Sequence, residues 1–275
     1  MPADRDDLLD IAKRLAMGAG ELIRSGRVRG VEQVAVKSTP TDVVTAMDRA
    51  SEGFLLAELV RLRPEDGVLG EEGTSRPGTS GVRWILDPID GTVNYLYGLP
   101  WYAVSVAAEE DGAVTAGVVH NPATGELFSA VRGGGAWLDG QRLRCSDEAV
   151  LGQALVSTGF SYDATRRGEQ ASVAAALLPQ VRDLRRMGSA ALDLCQVAAG
   201  RLDGHYEQGL WPWDYAAGGL IAAESGARVE GLRGAPAGGD FLVAAGPRLF
   251  SVLSPVLESL IPEIAGAGLA QPGQD

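Results

Sequence analysis

The chain has 275 residues, and its 36 acidic side chains outnumber its 24 basic ones to give a net charge of −12. This excess of negative charge argues against nucleic acid and membranes as partners, because both present anionic surfaces. The length lies between that of one large domain and that of two, and a hydrophobic content of 45% allows a sizeable core.

The remaining composition bears on compartment and metal chemistry. Two cysteines do not make a disulfide framework, so a reducing cytoplasm is the simplest setting. The N-terminus lacks the features of a signal peptide, and no apolar stretch approaches the roughly 18 residues of a membrane span. With only two histidines a histidine-built zinc site is hard to assemble, whereas the plentiful carboxylates suit Mg²⁺, Mn²⁺ or Ca²⁺.

The sequence pattern up to residue 81 predicts two helices, two short strands and a mobile loop. Apolar residues recur at helical spacing from Leu8 to Ile23, which defines the first helix. The elements that follow are a turn at 37–41, a strand at Val43–Thr45, a helix at 48–62, a strand at 68–69 and a loop at 74–81. Glu71 and Glu72 come directly after the second strand.

The next stretch, residues 84–92, runs from a short apolar strand into two carboxylates three residues apart. Pro88 fixes its own φ and biases Asp87 towards an extended conformation, which predicts that the strand ends at Asp87. A turn opened by Pro88 then places Asp87 and Asp90 on one side. Two carboxylates held this close repel each other least when a cation lies between them. The free N–H groups at the start of a helix that follows them would bind a phosphate. The stretch therefore predicts a hard-metal site beside a phosphate-binding site.

After residue 100 the sequence pattern changes twice. Apolar runs separated by hairpin turn signals predict an antiparallel meander over residues 101–143. Strands then alternate with helices, which predicts a layered α/β half. The strands are expected at 155–157, 184–187, 203–207 and 241–244, and the helices at 167–178, 189–199, 214–224 and 249–260.

These patterns suggest two halves joined in one compact catalytic unit. The expected division is an N-terminal α+β half at 1–148 with the acidic motifs and the meander, a C-terminal α/β half at 149–262, and a flexible tail at 263–275.

Several acids share one context, the end of a short strand or the start of a helix. They are Glu71, Asp87, Asp90 and Asp214, with Asp48 opening the second helix. Each alone has a structural explanation as a helix cap or turn former. The two Asp residues of Asp-Pro-Ile-Asp-Gly-Thr exceed what a turn needs, and the carboxyl ends of strands in α/β sheets are where ligands collect. Two metal ions about 4 Å apart would clamp a phosphate there.

At this point the chain resembles the inositol monophosphatase family over residues 8–260. The motifs that carry the resemblance are Gly70-Glu71-Glu72, residues 84–92, and Trp213-Asp214-Tyr215-Ala216-Ala217-Gly218. Further similar segments are Lys37-Ser38-Thr39-Pro40, Val44-Thr45-Ala46-Met47-Asp48, Gly188-Ser189-Ala190-Ala191 and Tyr206-Glu207. The resemblance implies a layered αβαβα sandwich, a homodimer, lithium sensitivity, and a Mg²⁺-dependent phosphatase acting on a small phosphate ester, above all inositol 1-phosphate.

The resemblance also implies a role for each site residue. The metal ligands, for two or three Mg²⁺ ions, would be Glu71, Asp87, the Ile89 carbonyl, Asp90 and Asp214. Thr92, oriented by Asp48 and helped by Glu71, would deprotonate the attacking water. Gly91 and Thr92 would receive the phosphate through their N–H groups. The groups facing the polyol would be Asp90, Gly188, Ser189, Ala190 and Glu207.

Other functions remain open. Asp-x-Asp-Gly-Thr phosphatases use aspartate as nucleophile, but here two residues separate the acids instead of one. Relatives of this family hydrolyse histidinol phosphate, fructose bisphosphate or 3′-phosphoadenylates, and a regulatory protein on this fold would keep the metals without turnover. Departures from the family pattern, expected at the pocket rim, bear on substrate preference; they are Val93, Tyr95, Tyr97 and Ser189.

A few conspicuous residues have structural expectations. Lys37 is predicted either to neutralise nearby acids or to lie on the surface. The cysteines are expected to be small packing side chains rather than nucleophiles. His120 is read as a turn residue and His205 as a strand residue. Trp211 and Trp213 are expected to pack beneath the site.

Overall fold

The computed structural model describes residues 5–28, 33–36 and 43–261. Lys37 and the predicted tail at 263–275 therefore lie outside the described residues. The strands are β1 (Gln33–Val36), β2 (Val43–Thr45), β3 (Gly67–Gly70), β4 (Ser75–Arg76), β5 (Val82–Asp90), β6 (Ala103–Glu110), β7 (Ala113–His120), β8 (Leu127–Val131), β9 (Gly135–Leu138), β10 (Gln141–Arg142), β11 (Leu155–Thr158), β12 (Asp183–Arg185), β13 (Gly204–Glu207), β14 (Arg228–Glu230) and β15 (Leu242–Ala245).

The helices separate these strands in the order that the apolar periodicity predicts. They are α1 (Arg5–Val28), α2 (Ala46–Leu62), α3 (Thr92–Tyr97), α4 (Ala164–Leu177), α5 (Ala190–Ala198), α6 (Pro212–Glu224) and α7 (Pro247–Leu260), with short 3₁₀ turns at Leu151–Gln153, Leu178–Gln180 and Leu232–Gly234. No helix in the described ranges combines the length and the apolar character that crossing a bilayer requires.

Two large sheets organise the molecule. The first has eight strands in the order β10-β9-β8-β7-β6-β5-β3-β4, and the second has five in the order β12-β11-β13-β15-β14. Strands β5 to β10 pair antiparallel with their sequence neighbours, which confirms the predicted meander. In the second sheet β11 is parallel to β12 and β13, and β15 is antiparallel to β13 and β14.

Helices cover both faces of both sheets, so the layers run α, β, α, β, α. Helices α1 and α2 pack on one face of the eight-stranded sheet, and α5 and α6 lie between the two sheets. Helices α4 and α7 cover the far face of the five-stranded sheet. The predicted layered sandwich is confirmed.

Alternation along the strands decides which layer each side chain joins. In β5, Trp84 and Leu86 face α1 and α2, whereas Ile85 faces α5 and α6. In β15, Leu242 and Ala244 likewise face the middle helices, while Val243 and Ala245 face α4 and α7. Strands buried on both faces read as continuous apolar runs.

The prediction that the strand ends at Asp87 was wrong. Strand β5 continues to Asp90, which pairs with Ala103 of β6, while Asp87 pairs with Ser105. Three steps along β5 therefore match two along β6, which is a bulge with one extra residue. Pro88 lies inside the bulge, where a missing N–H costs no ladder hydrogen bond.

Three smaller boundaries also differ. The loop predicted at 74–81 contains β4, which pairs antiparallel with β3. Helix α4 begins three residues earlier than expected, because Asp163 caps it by accepting a hydrogen bond from the Arg166 N–H. Strand β14 was not predicted, since its three residues carry too little apolar pattern to stand out from a turn.

Candidate active site

A cavity of about 720 Å³ opens where the ends of β5, β11 and β13 meet the first turns of α4, α5 and α6. Almost all of the site residues expected from the sequence line it. They are Glu71, Asp87, Ile89, Asp90, Gly91, Thr92, Gly188, Ser189, Ala190, Glu207 and Asp214. Asp48 is the exception. It is buried behind the cavity wall and hydrogen bonds to Thr92, which does line the cavity.

The bulge in β5 sets the directions of the two central acids. The Ile89 N–H donates to Asp87 Oδ1 over 3.0 Å, so the carboxylate of Asp87 folds back over the bulged backbone. Both Asp87 and Asp90 line the cavity although they stand an odd number of residues apart. Regular alternation would send them to opposite faces, and the extra residue brings them to the same one.

Asp48 and Thr92 form a hydrogen-bonded pair at the rear of the cavity. Thr92 Oγ1 lies 3.0 Å from Asp48 Oδ1 and 2.9 Å from the Ile89 carbonyl. Asp48 Oδ2 accepts hydrogen bonds from the N–H and hydroxyl of Thr45, the N-cap of α2. Burial raises the pKa of Asp48 to about 6, against the opposing effect of the Thr45 hydrogen bonds.

Gly91 joins β5 to the segment before α5. Its φ is +93°, and a Cβ there would lie 2.9 Å from the Trp101 carbonyl oxygen and 3.0 Å from that of Gly188. Only glycine adopts this conformation and permits this approach. Asn94 reinforces the junction by donating to the carbonyls of Trp101 and Met187 over 2.7 and 2.8 Å.

Across this junction Asp90 caps the start of α5. Its Oδ2 accepts hydrogen bonds from the Ser189 hydroxyl at 2.6 Å and from the Ala191 N–H at 2.7 Å. Ser189 also accepts from the Leu192 N–H as the N-cap of α5. Ser189 therefore lines the cavity, as expected, while its hydroxyl is engaged within the protein.

The four acids at the centre repel one another. Burial raises the pKa of Asp87 well above its usual range, and the charges of Glu71, Asp90 and Asp214 raise it further. The pKa of Asp214 is raised by burial, and then by Asp90 and Glu71. Carboxylates crowded in this way are stabilised by proton uptake or by a cation.

The donor chemistry fits a hard divalent ion. In the part of the chain that the structure describes, no three acidic, His or Cys side chains stand in the positions that a bound metal would need. The acids are held by hydrogen bonds instead, such as the Trp211 N–H to Asp214 Oδ2 at 2.6 Å. Four carboxylates and a main-chain carbonyl are nevertheless the oxygen ligands that Mg²⁺ prefers, and their repulsion favours its entry.

Glu207 forms part of the opposite wall. Its carboxylate lies directly against Gly159, where a Cβ would stand 1.8 Å from Glu207 Oε1. Burial, followed by the charge of Asp90, raises the pKa of Glu207 to about 8, and the charge of Arg186 opposes this rise. Behind it, His205 Nε2 lies 3.5 Å from Glu207 Oε2 and His205 Nδ1 lies 2.9 Å from Ser157 Oγ.

Sequence reasoning missed several residues of the cavity wall. Asp193 and Arg166 line it. Asp193 stands between two leucines in a helical pattern, and Arg166 belongs to a charged, turn-rich segment, so no signal in one sequence distinguishes them from structural or surface residues. Trp211 and Trp213 stack with centroids 5.6 Å apart and also line the cavity, so they form its wall and do not lie beneath it.

The residues expected at the pocket rim because they depart from the family pattern are mostly elsewhere. Val93, Tyr95 and Tyr97 do not line the cavity. Tyr95 is buried and donates its hydroxyl hydrogen to the Ile23 carbonyl over 2.7 Å, whereas Tyr97 is 77% exposed. Helix α3 is short and turns these side chains away from the cavity, so of the four only Ser189 lines it.

Comparison with known proteins agrees with this architecture. The model of the inositol monophosphatase family matches residues 4–264. An inositol-1-monophosphatase of Mycobacterium leprae is 46% identical, with 93% of this chain and 94% of that protein covered, and a Nus factor SuhB of Escherichia coli is 39% identical, with 82% and 86% covered. The crystal structure of the extragenic suppressor protein SuhB of Bartonella henselae superposes with a TM-score of 0.87 at 35% identity, covering 93% of this chain and all of that one. The chain therefore belongs to the inositol monophosphatase family.

Proposed function

We propose that this protein is a Mg²⁺-dependent phosphomonoesterase that hydrolyses inositol 1-phosphate to inositol and inorganic phosphate. Family membership supports a phosphatase. The observation that carries the finer proposal is the meeting of Glu71, Asp87, Asp90 and Asp214 around one cavity, from three separate parts of the chain. Asp87 and Asp90 are buried, and a cluster of acids that repel one another in this way is retained at a cost in stability, which points to a ligand cation.

The residues that would hold the metal are the same four acids and the Ile89 carbonyl. Bound Mg²⁺ would neutralise the phosphate charge and lower the pKa of a nearby water. This donor set would hold two or three such ions. The proximity of Glu71 to Asp87, which raises the pKa of Asp87, supports their sharing a cation.

Thr92 and Asp48 supply a route for the proton of the attacking water. The Thr92 hydroxyl takes up that proton while its own passes to Asp48 Oδ1, 3.0 Å away. The water oxygen forms a bond to phosphorus as the bond from phosphorus to the ester oxygen breaks, and no phosphoenzyme is formed. The released ester oxygen takes up a proton from solvent water in the cavity and leaves as the alcohol. Glu71, on the same wall, assists in orienting the water. Positioning and charge neutralisation provide most of the rate enhancement.

The remaining wall would bind the substrate. The N–H groups of Gly91 and Thr92 receive the phosphate, beside the acidic cluster. The polyol lies against Asp90, Glu207 and the segment from Gly188 to Ala190, all of which line the cavity. Because the hydroxyl of Ser189 donates to Asp90, its contribution is to hold Asp90 rather than to contact the polyol through that hydrogen.

Two alternatives compete with this proposal. The same chemistry would serve another small ester, such as histidinol phosphate, fructose bisphosphate or a 3′-phosphoadenylate. A regulatory role is the second candidate function, because relatives from Pasteurella multocida and Escherichia coli at 41% and 39% identity bear the name Nus factor. The intact acidic set favours catalysis over a purely regulatory role.

Phosphate release from myo-inositol 1-phosphate by the purified chain, with and without Mg²⁺, tests the proposal. We expect turnover that requires Mg²⁺, is inhibited by lithium and exceeds turnover of the alternative esters at matched Mg²⁺. Asp90→Asn should reduce kcat by several orders of magnitude, on the order of the loss for a principal electrostatic group. Asp147→Asn, which changes an exposed aspartate outside the cavity, is the matched control.

Near-wild-type activity in Asp90→Asn would rule out the assigned role. Absence of phosphate release from every ester in Mg²⁺ would remove the enzymatic proposal and leave the regulatory one.

A further inference from the structure

The cavity extends beyond the residues that the proposed mechanism uses. Segments 158–163 and 207–211 line it together with Arg166, and of these residues only Glu207 has a part in the proposed hydrolysis. Strands β11 and β13 run parallel, with Thr158 paired to Tyr206, so the two segments follow the carboxyl ends of neighbouring strands. Ligands of α/β sheets bind beyond such strand ends. These two segments and Arg166 form the α4-side wall of the cavity.

A buried glutamine joins the two segments of the α4-side wall. Gln170, on α4, is 6% exposed. Its Oε1 accepts a hydrogen bond from the Ser161 N–H over 2.7 Å, and its Nε2 donates to the Gln208 carbonyl over 3.2 Å. One side chain therefore uses both of its polar ends to hold the segments together, which gives the wall a fixed shape before a ligand enters.

Arg166 brings a positive charge to this wall without a protein partner for it. The side chain is half-buried in the first turn of α4. Among the described residues its guanidinium has no ion pair and no hydrogen bond, whereas its main-chain N–H donates to Asp163 Oδ1 over 2.8 Å. A Cβ on Gly209 would lie 3.4 Å from Arg166 Nη1, so the guanidinium reaches from α4 to the segment that follows β13.

The acids of the cavity do not use this charge. Arg186, which also lines the described wall, already offsets them, because its charge lowers the pKa of Asp90 and of Glu207. Inositol 1-phosphate has one anionic group, and the proposed function places that group beside the acidic cluster and its cations. Arg166 is thus left without a counterion in that complex. A guanidinium binds phosphate oxygens through two parallel N–H groups, so the ligand that suits Arg166 is a second phosphate.

Resting on the proposed function, we propose that the α4-side wall binds a second phosphate group of the substrate, with Arg166 as its cationic ligand. This phosphate is carried by the alcohol part and is distinct from the one that is hydrolysed. It is bound and not cleaved there, since none of the acids that would hold Mg²⁺ belongs to this wall. The substrate class then extends from inositol 1-phosphate to inositol bisphosphates.

Kinetics of the full chain with Mg²⁺ test the site on myo-inositol 1-phosphate and on its 1,3- and 1,4-bisphosphates, which share the ring and differ by one phosphate. Arg166→Gln should lower kcat/KM for at least one bisphosphate about tenfold or more, chiefly through KM, since hydrogen bonds between charged groups are lost. For inositol 1-phosphate the decrease should be less than about threefold, because this ester has no second anion. Arg166→Lys keeps the charge but loses the paired N–H groups, and its kcat/KM for that bisphosphate should lie between those of wild type and Arg166→Gln.

Arg167→Gln is the matched control. It removes the same charge one residue further along α4, from a half-buried side chain that does not line the cavity and whose Nη1 donates to the Ser161 carbonyl over 3.4 Å. At about 0.15 M salt, where charges more than about 8 Å apart are largely screened, the ratio of bisphosphate to monophosphate kcat/KM should remain that of wild type. Thermal unfolding of each variant identifies loss of folding, and Arg166→Lys carries the test if Arg166→Gln does not fold.

An equal loss for all three esters in Arg166→Gln, or no loss for either bisphosphate, would overturn the inference, as would a ratio that changes as much in Arg167→Gln. If the wild-type chain hydrolyses none of the esters, the proposed function fails separately. In that case, and also if it hydrolyses inositol 1-phosphate alone, calorimetric binding of the bisphosphates decides the role of Arg166. Weaker binding by Arg166→Gln than by wild type supports the second-phosphate site, and equal or absent binding refutes it.

Discussion

At the scale of single residues, the Thr92 hydroxyl has one hydrogen and two acceptors within reach, Asp48 Oδ1 and the Ile89 carbonyl. An ionised carboxylate is the stronger acceptor. Directing the hydrogen to Asp48 leaves the lone pairs of Thr92 free to accept a proton from the cavity. Thr45 holds Asp48 through its other oxygen, so the pair is fixed before the substrate arrives.

This arrangement predicts the behaviour of two Thr92 variants. Thr92→Val keeps the shape but removes the hydroxyl, and kcat for inositol 1-phosphate should fall by a factor on the order of 10²–10⁴, the usual contribution of general base catalysis. KM should change little, since the phosphate contacts are main-chain groups. Thr92→Ser keeps the hydroxyl and serves as the control. Steady-state kinetics within threefold of wild type for Thr92→Val would show that the proton takes another route.

The residues that line the cavity were the part of the site that the sequence predicted best, because the acids and glycines stand in short contiguous motifs. Asp193 was not predicted for a physical reason. Its neighbours Leu192 and Leu194 identify only a buried helix, and helical periodicity does not tell whether a polar residue within it faces core, solvent or cavity. The cavity beside Asp193 exists only in the folded chain, where β13 brings Glu207 near it.

At the scale of elements, the turn between β3 and β4 has its own anchor. Glu52, on α2, is 4% exposed and accepts hydrogen bonds from the N–H groups of Glu72 and Thr74 over 2.8 and 3.1 Å and from the Thr74 hydroxyl over 2.5 Å. The turn that it clamps carries Glu71. Gly70 allows the approach, because a Cβ there would lie 2.5 Å from Glu52 Oε2.

Glu52 is therefore expected to act as a positioning residue for Glu71. Glu52→Gln replaces one acceptor oxygen by an NH₂ group that faces existing donors, so the turn should loosen. Groups that orient metal ligands typically contribute 10–100-fold to affinity, and Mg²⁺ binding measured by calorimetry should weaken by about tenfold. Glu58→Gln changes a surface glutamate of the same helix, paired with Arg14 and Arg61, and should bind Mg²⁺ normally. Wild-type Mg²⁺ affinity in Glu52→Gln would contradict the positioning role.

Helices and strands were predicted well wherever the spacing of apolar residues agreed with the positions of turn-forming residues. They were predicted less well where pairing between strands overrode the local conformational preference of the chain. Pro88 ordinarily ends a strand, yet the ladder with β6 resumes at Asp90 because a bulge absorbs the proline. A bulge is a property of two strands together. For the same reason β4, only two residues long, is a strand only because β3 lies beside it.

At the scale of the whole molecule, the cavity lies between the two large sheets. Glu71, Asp87 and Asp90 come from the eight-stranded sheet and the turns at its edge, whereas Asp193, Glu207 and Asp214 come from the segments of the second half. Helix α6 belongs to the second half in sequence, yet Ala217 and Ile221 pack in one apolar cluster with Ile85 and Phe128 of the first sheet. This shared core fixes the distance between the two groups of acids.

Burying so many acids beside a neutral histidine makes the stability of the molecule depend on pH in two directions. Glu207, whose pKa is raised to about 8, favours the folded state at low pH, and this contribution is lost as pH rises from about 4.5 through 8. His205 is buried, and burial lowers its pKa to about 3. Its imidazole is thus neutral in the folded state, and its contribution is lost as pH falls from 6.5 towards 3.

Comparison of wild type with His205→Gln isolates the histidine. Between pH 7 and pH 5 the unfolded chain binds a proton at this position and the folded chain does not, so the wild type should lose about 2 kcal/mol relative to the variant. Urea unfolding in a chelator, which keeps metal from the acids, measures the difference. His120→Gln is the control. Burial lowers the pKa of that half-buried side chain too, but the hydrogen bond that its Nδ1 donates to the Glu126 carbonyl raises it, so the pH dependence of its contribution to stability should be smaller. A free-energy difference between wild type and His205→Gln that stays constant from pH 7 to pH 5 would mean that His205 takes up its proton in the folded state, which its complete burial argues against.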